Sequence, residues 1–242
     1  DFFELGGHSL RMVFLANKIK KEFGVAIPLK ELMSQSTVRD LSTYLLEQEG
    51  GEHEPIVHVP VAEYYPSSPS QRRMYFLYEY DKDSVAYNMK QAISLYGFLD
   101  KQRLLGAFER LVLRHESLRT TFHVVDGEVV QHVSEDQAVS IDYIENEGDT
   151  ADLIAGFSGP FDLNKGPLFR VGVISIKEDE HILIVDNHHI MSDKISSEIL
   201  LKDFIGLYSG DELPDLRVQY KDYVAWQRDY QEKALAGQKD YW

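Results

Sequence analysis

The chain has 242 residues, 43% apolar and 12% aromatic, enough for one large or two small hydrophobic cores, so wholesale disorder is excluded. A net charge of −15 argues against nucleic acid as a partner, because phosphate contacts need clustered Lys and Arg. With no cysteine there is neither a disulfide framework nor a thiolate metal site, and the lack of an apolar run of about 18 residues argues against a membrane span.

The chain opens on Asp1-Phe2-Phe3-Glu4 and then Leu5-Gly6-Gly7-His8-Ser9-Leu10. Paired glycines allow a tight turn, and Ser9 falls where a helix over residues 10–22 begins, with Leu10, Val13, Phe14, Ala16 and Ile19 as its apolar residues and Gly24 as its stop. Free N–H groups and the dipole at such a start favour an anion, so Ser9 suits a phosphodiester; the plainer reading makes it an N-cap. A short turn follows Pro28 at residues 29–33. A second helix spans 37–48, with Thr37 as cap and Val38, Leu41 and Leu45 on one face. Residues 1–48 read as a small helical unit, and Glu49-Gly50-Gly51-Glu52-His53-Glu54-Pro55 reads as the flexible start of a linker over 49–63. The charge is uneven: residues 1–49 hold seven acidic and six basic side chains, the rest 33 and 19.

A second unit over 64–242 starts at Tyr64-Tyr65-Pro66-Ser67-Ser68-Pro69. It reads as a helix over 70–81, a strand over 89–96 and a strongly periodic helix over 100–115 carrying Leu104, Leu105, Phe108, Leu111 and Val112. Asp126-Gly127 between 120–125 and 128–133 signals a hairpin, and a charged turn at 177–180 joins the strands 168–176 and 181–188. Helices at 196–208 and 220–235 close the pattern. Mixed strands and helices predict an α/β or α+β sandwich.

His188-His189-Ile190-Met191-Ser192-Asp193 ends a strand. Side chains alternate faces along a strand, so one histidine can enter a chamber while the other packs. Two histidines facing apart make poor co-ligands and no third ligand sits at a fitting spacing, so no metal is expected. Asp193, four residues after His189, is placed to hold the turn.

The Ser9 segment resembles the phosphopantetheine attachment site of peptidyl carrier domains in nonribosomal peptide synthetases. The segment at 188–193 is similar to the His-His-x-x-x-Asp-Gly signature of condensation domains. Three further stretches carry the same resemblance: Ser68-Pro69-Ser70-Gln71-Arg72-Arg73-Met74-Tyr75, Arg114-His115-Glu116-Ser117-Leu118-Arg119-Thr120-Thr121-Phe122, and Tyr220-Lys221-Asp222-Tyr223-Val224-Ala225-Trp226. The resemblance implies a mixed α/β fold: a carrier bundle lacking its first helix, joined to the N-terminal, chloramphenicol-acetyltransferase-like lobe of a condensation domain. It implies 4'-phosphopantetheine on Ser9, an aminoacyl or peptidyl thioester as donor and an amine on a downstream carrier as acceptor. It also implies an upstream adenylation domain and a phosphopantetheinyl transferase as partners, in the cytoplasm. His189 is then the catalytic candidate beside the amine, His188 a supporting residue, and Asp193 structural, pairing with an arginine of the other lobe. With that lobe absent, this stretch alone is expected not to condense substrates. Lys194 stands where the family has glycine and reads either as a solvated side chain or as an obstruction. Rival readings are a non-catalytic docking module and an epimerising or ester-forming member of the same superfamily.

Overall fold

The computed structural model describes residues 1–47, 55–136, 138–145 and 148–238. The last residue of the helix expected over 37–48, the linker residues 49–54 and Trp242 lie outside them. The chain divides into two compact units, Asp1–Pro55 and Ile56–Trp242.

The first unit contains α1 (Ser9–Phe23), α2 (Leu29–Ser34) and α3 (Val38–Glu47). The segment read as a turn after Pro28 is a short helix, since proline preceding the first helical residue presets its backbone. The core is a single small cluster of Met12, Ile19, Val25, Ile27 and Leu32, with Phe2, Leu15, Ala16, Leu41, Tyr44 and Leu45 packed against it. Helical spacing therefore selects the stripe 12, 15, 16 and 19 of α1, and Leu10, Val13 and Phe14 stand outside it, exposed. Val38, grouped with Leu41 and Leu45 by periodicity, is 85% exposed at the open start of α3.

The second unit runs β1 (Tyr65–Pro66), α4 (Pro69–Tyr80), β2 (Asn88–Tyr96), α5 (Lys101–Arg114), a 3-10 turn (Glu116–Arg119), β3 (Thr120–Val125) and β4 (Glu128–Val133). It continues through β5 (Ile141–Glu145), α6 (Thr150–Gly156), β6 (Phe169–Lys177), β7 (Glu180–His188), α7 (Lys194–Ser209) and α8 (Tyr220–Gln238). The main sheet has strand order β2-β7-β6-β5, antiparallel except for the parallel β5–β6 pair, and β1-β4-β3 form a second, antiparallel sheet. Both hairpins expected from turn chemistry form: Asp126 (φ 52°) and Gly127 (φ 82°) supply the left-handed pair that a tight β3–β4 connection needs. The paired centre of the sheet, β6 and β7, is apolar on both faces. Val171, Val173, Ile174, Leu183 and Ile184 are all at most 2% exposed.

Helix ends follow local chemistry. Ser68 and Gln71 close a capping box at the start of α4. Asp100 accepts from the N–H groups of Gln102 and Arg103 at the start of α5. The stripe Leu104, Ala107, Phe108, Leu111 and Val112 of α5 joins Phe204 and Leu207 of α7 and the apolar residues of β6 and β7 in one core. That packing, helices α5 and α7 against a mixed sheet, is the α/β architecture expected from the sequence, and it fixes the end of β7. No described helix is long and apolar enough to cross a membrane.

Candidate functional site

The loop ahead of α1 is built by backbone bonds: Leu5 N donates to Asp1 O (3.2 Å), Gly6 N to Phe3 O (3.0 Å) and Gly7 N to Phe2 O (2.9 Å). Gly6 is left-handed (φ 81°), and a Cβ on Gly7 would run into the Phe2 ring and carbonyl oxygen, so both positions need glycine. His8, not Ser9, occupies the cap position, without a side-chain cap bond. Ser9 is the first helical residue and is exposed. Its hydroxyl is not spent on capping and stands beside the orphan N–H groups of a fifteen-residue helix, which suits a phosphodiester.

In the second unit, the antiparallel bonding of β7 to β2 and β6 ends at His188, whose N–H donates to Leu168 O (2.9 Å). The next amide, of His189, donates to Tyr87 O (2.8 Å). The two imidazoles go to different cavities, as alternation predicts. His188 is 5% exposed, with Tyr87 and Phe161 rings 6.3 Å away, and borders a cavity of about 210 Å³ with Tyr78, Tyr80 and Asp81. Its Nδ1 accepts from Ile190 N (3.1 Å), so its proton sits on Nε2. Burial, helped by the neighbouring His189, pushes its pKa down to about 4, and it stays neutral near pH 7.

His189 is half-buried and borders a cavity of about 420 Å³, shared with Gln71, His115, Ser117, Gln219 and Tyr220. Its Nδ1 lies 2.6 Å from Ser192 O. A carbonyl only accepts, so Nδ1 carries the hydrogen, which in the neutral ring leaves the lone pair on Nε2. Asp193 does not touch the imidazole by a hydrogen bond. It caps α7 instead, accepting from Ser196 N and Ser196 Oγ, both at 2.7 Å. Those bonds hold its carboxyl below the usual range. Asp193 thereby fixes the turn 189–193 through the helix that follows. Lys194, first in α7, is exposed and does not border the cavity.

Two residues given no role on sequence grounds belong to the same place. His115 Nε2 lies 2.8 Å from Asp203 Oδ2, the oxygen that also accepts from Arg114 Nε at 2.8 Å. Burial lowers the His115 pKa against the pull of Asp203. Burial would raise the Asp203 carboxyl, but the bonds from Arg114 and His115 outweigh it and hold it low. Adjacent Arg and His at a helix end were visible at 114–115; Asp203, 88 residues on, leaves no local signal. Among the described residues, no group of three or more His, Asp and Glu is gathered as metal ligands.

A His-His pair at the tip of a central strand, followed by an aspartate-capped helix in a mixed α/β unit, defines a class of domain, and the comparisons give its family. Residues 61–242 match the condensation domain family and residues 1–45 the phosphopantetheine attachment site. The chain belongs to the condensation domain family, with a phosphopantetheine attachment segment ahead of it. It is 41% identical over 244 residues to gramicidin S synthase 2 of Brevibacillus brevis and 43% identical over 251 residues to tyrocidine synthase 2 of Brevibacillus parabrevis. Each alignment takes in 100% of this chain but only 6% and 7% of the relative. Among solved structures, the X-domain in complex with OxyB from teicoplanin biosynthesis superposes with a TM-score of 0.67 at 26% identity, over 76% of this chain and 43% of that one. The starter condensation domain of rhizomide synthetase RzmA shares the fold, with a TM-score of 0.66 at 20% identity, over 75% of this chain and 47% of that one.

Proposed function

We propose that the chain is a donor carrier segment (residues 1–48), a linker (49–63) and the N-terminal lobe of a peptide-bond-forming condensation domain (64–242), within a cytosolic nonribosomal peptide synthetase. The observation that carries this reading is His189: one ring nitrogen is locked on Ser192 O, and the other is left as a proton acceptor at a cavity of about 420 Å³. The phosphopantetheine arm, when attached to Ser9, supplies a thiol that holds acyl groups as thioesters. Ser9 offers an unencumbered hydroxyl for that attachment. An amine entering the cavity donates a hydrogen bond to His189 Nε2. As its nitrogen adds to the thioester carbon, one C–N bond forms, one C–S bond breaks, and the amine's proton passes by way of Nε2 to the departing thiol. The amine must arrive neutral, because the α-ammonium, with a pKa of about 8, has no lone pair with which to attack. Holding the two reactants in register contributes roughly 7–11 kcal/mol where orientation is good. His188 supports this from the other side of the strand as a neutral, buried anchor, and Asp193 is structural.

In this reading an upstream adenylation domain loads the carrier, a downstream carrier brings the amine, and a phosphopantetheinyl transferase modifies Ser9. The two solved chains are more than twice the length matched here, so the 242 residues alone are expected not to condense substrates. Two measurements test the proposal. Incubation with coenzyme A and a phosphopantetheinyl transferase adds one arm to the intact mass, and Ser9→Ala abolishes the gain. In the full-length synthetase, His189→Ala lowers the condensation rate by roughly 10²–10⁴-fold while loading of the carrier is unchanged. A mass gain that survives Ser9→Ala, or full turnover in His189→Ala, overturns the assignment.

A further inference from the structure

The cavity at His189 holds a second imidazole whose partners leave it with the same kind of free nitrogen. His115 is 8% exposed and borders the cavity from the C-terminal end of α5. Its Nε2 is committed to Asp203 Oδ2 at 2.8 Å. Asp203 also binds Arg114 and is held ionised, so it only accepts, and the His115 hydrogen must sit on Nε2. Nδ1 is therefore a lone pair. Gln219 ties the same corner together without using the ring: its Nε2 donates to Arg114 O (3.0 Å) and its Oε1 accepts from Glu116 N (3.1 Å). Glu116 is in turn paired with Lys221 (2.8 Å) and Arg119 (3.6 Å). Every strong charge around His115 thus has a partner other than Nδ1.

We propose that His115, backed by Asp203, is a second binding group for the amine acceptor, working beside His189. A neutral primary amine has one lone pair, which must face the acyl carbon, and two N–H bonds. Two imidazole lone pairs at one cavity accept both, His189 taking one N–H and His115 the other. This orients the nucleophile about its C–N axis, which one hydrogen bond cannot do. The pair also defines a preference: a secondary amine has a single N–H and can serve only one of the two rings. The inference rests on the reading of the His189 cavity as the amine site.

The test uses the full-length synthetase with its donor loaded, and the alanyl and N-methylalanyl thioesters of N-acetylcysteamine as acceptors. His115→Gln keeps a donor for Asp203 but removes the lone pair at the Nδ1 position. His115→Asn does the reverse, placing an oxygen where Nδ1 was and losing the reach to Asp203. His115→Gln is expected to raise KM for the alanyl acceptor about tenfold, the scale of one hydrogen bond, and to leave KM for the N-methyl acceptor unchanged. In His115→Asn the preference for the primary amine is expected to persist even if both rates fall. A purely structural His115 gives the opposite pattern: a normal Gln variant and an Asn variant impaired equally with both acceptors. That result, or a Gln penalty of equal size for both amines, overturns the proposal. If His115→Asn does not fold, the Gln variant with two acceptors decides alone. Full activity in His189→Ala would instead sink the underlying reading, so the two failures are distinguishable.

Discussion

His188 and His189 are neighbours in sequence and opposites in chemistry. The first is enclosed among Tyr87 and Phe161 and kept neutral; the second is half-buried beside open volume. For His188 the consequence is a pH dependence of stability. Its folded pKa, about 4, is below the unfolded value of about 6.5, so the folded state resists protonation that the unfolded chain accepts. The stabilisation is complete above pH 6.5, falls as pH drops from 6.5 to 4, and is gone below that; the span is worth roughly 3 kcal/mol. His188→Asn keeps an acceptor for Ile190 N and removes the titration. In urea unfolding at pH 7.5 and pH 5, the wild type is expected to lose clearly more stability on acidification than this variant, and equal losses would contradict the assignment. The opposed directions of the pair were legible from strand alternation alone. What each ring bonds was not, because Ser192 O and Ile190 N become partners only once the turn after β7 closes.

At the scale of the element, α7 carries the site. Asp193 caps its first turn and Asp203, in its middle, holds His115. Asp193→Ala removes two hydrogen bonds at the cap and is expected to cost about 1 kcal/mol, seen as a lowered unfolding midpoint, whereas Asp193→Asn recovers most of it. Equal loss in both variants would mean that charge, not capping, is what matters. The long elements were readable because each repeats one signal: a 3.6-residue stripe in α5, and apolar runs bounded by turn residues in β6 and β7. The short ones were not. The strand β5 is five residues with exposed Asp142 and Tyr143, and its partner is a parallel strand 30 residues downstream, so nothing nearby announces the pairing. The seven-residue α6 is equally brief, and its Asp149 cap is the one local clue. In the first unit, α1 has apolar residues on most of its circumference, and periodicity alone did not say that Met12, rather than Phe14, faces the core.

Across the whole second unit, one carboxylate joins the unit's first residues to its last helix. Asp222, in the first turn of α8, is fully buried and accepts from Gln219 N (2.8 Å), Val59 N (2.9 Å) and His58 Nδ1 (2.9 Å). Burial would raise its pKa, but these bonds prevail and keep it ionised. Asp222→Ala strands two part-buried amide donors and is expected to cost on the order of 2 kcal/mol, read as a fall in the urea midpoint at unchanged m. A loss under 1 kcal/mol would mean water replaces the carboxylate. The motif at 220–226 was visible in sequence, yet its aspartate gave no hint of a partner 163 residues earlier. Only the folded unit brings them together.

The turn before Ser9 has its own distant support. Phe2 N donates to Ser36 O (2.8 Å), and the Ser36 hydroxyl bonds the Asp1 carboxylate, so the junction between α2 and α3 braces the glycine loop from behind. The shape that an incoming modifying enzyme would meet at residue 9 is therefore partly written at residue 36. On the role proposed for Ser9, substitution at that unassuming serine is expected to change how readily the hydroxyl is modified, without altering a single letter of the glycine-histidine-serine segment.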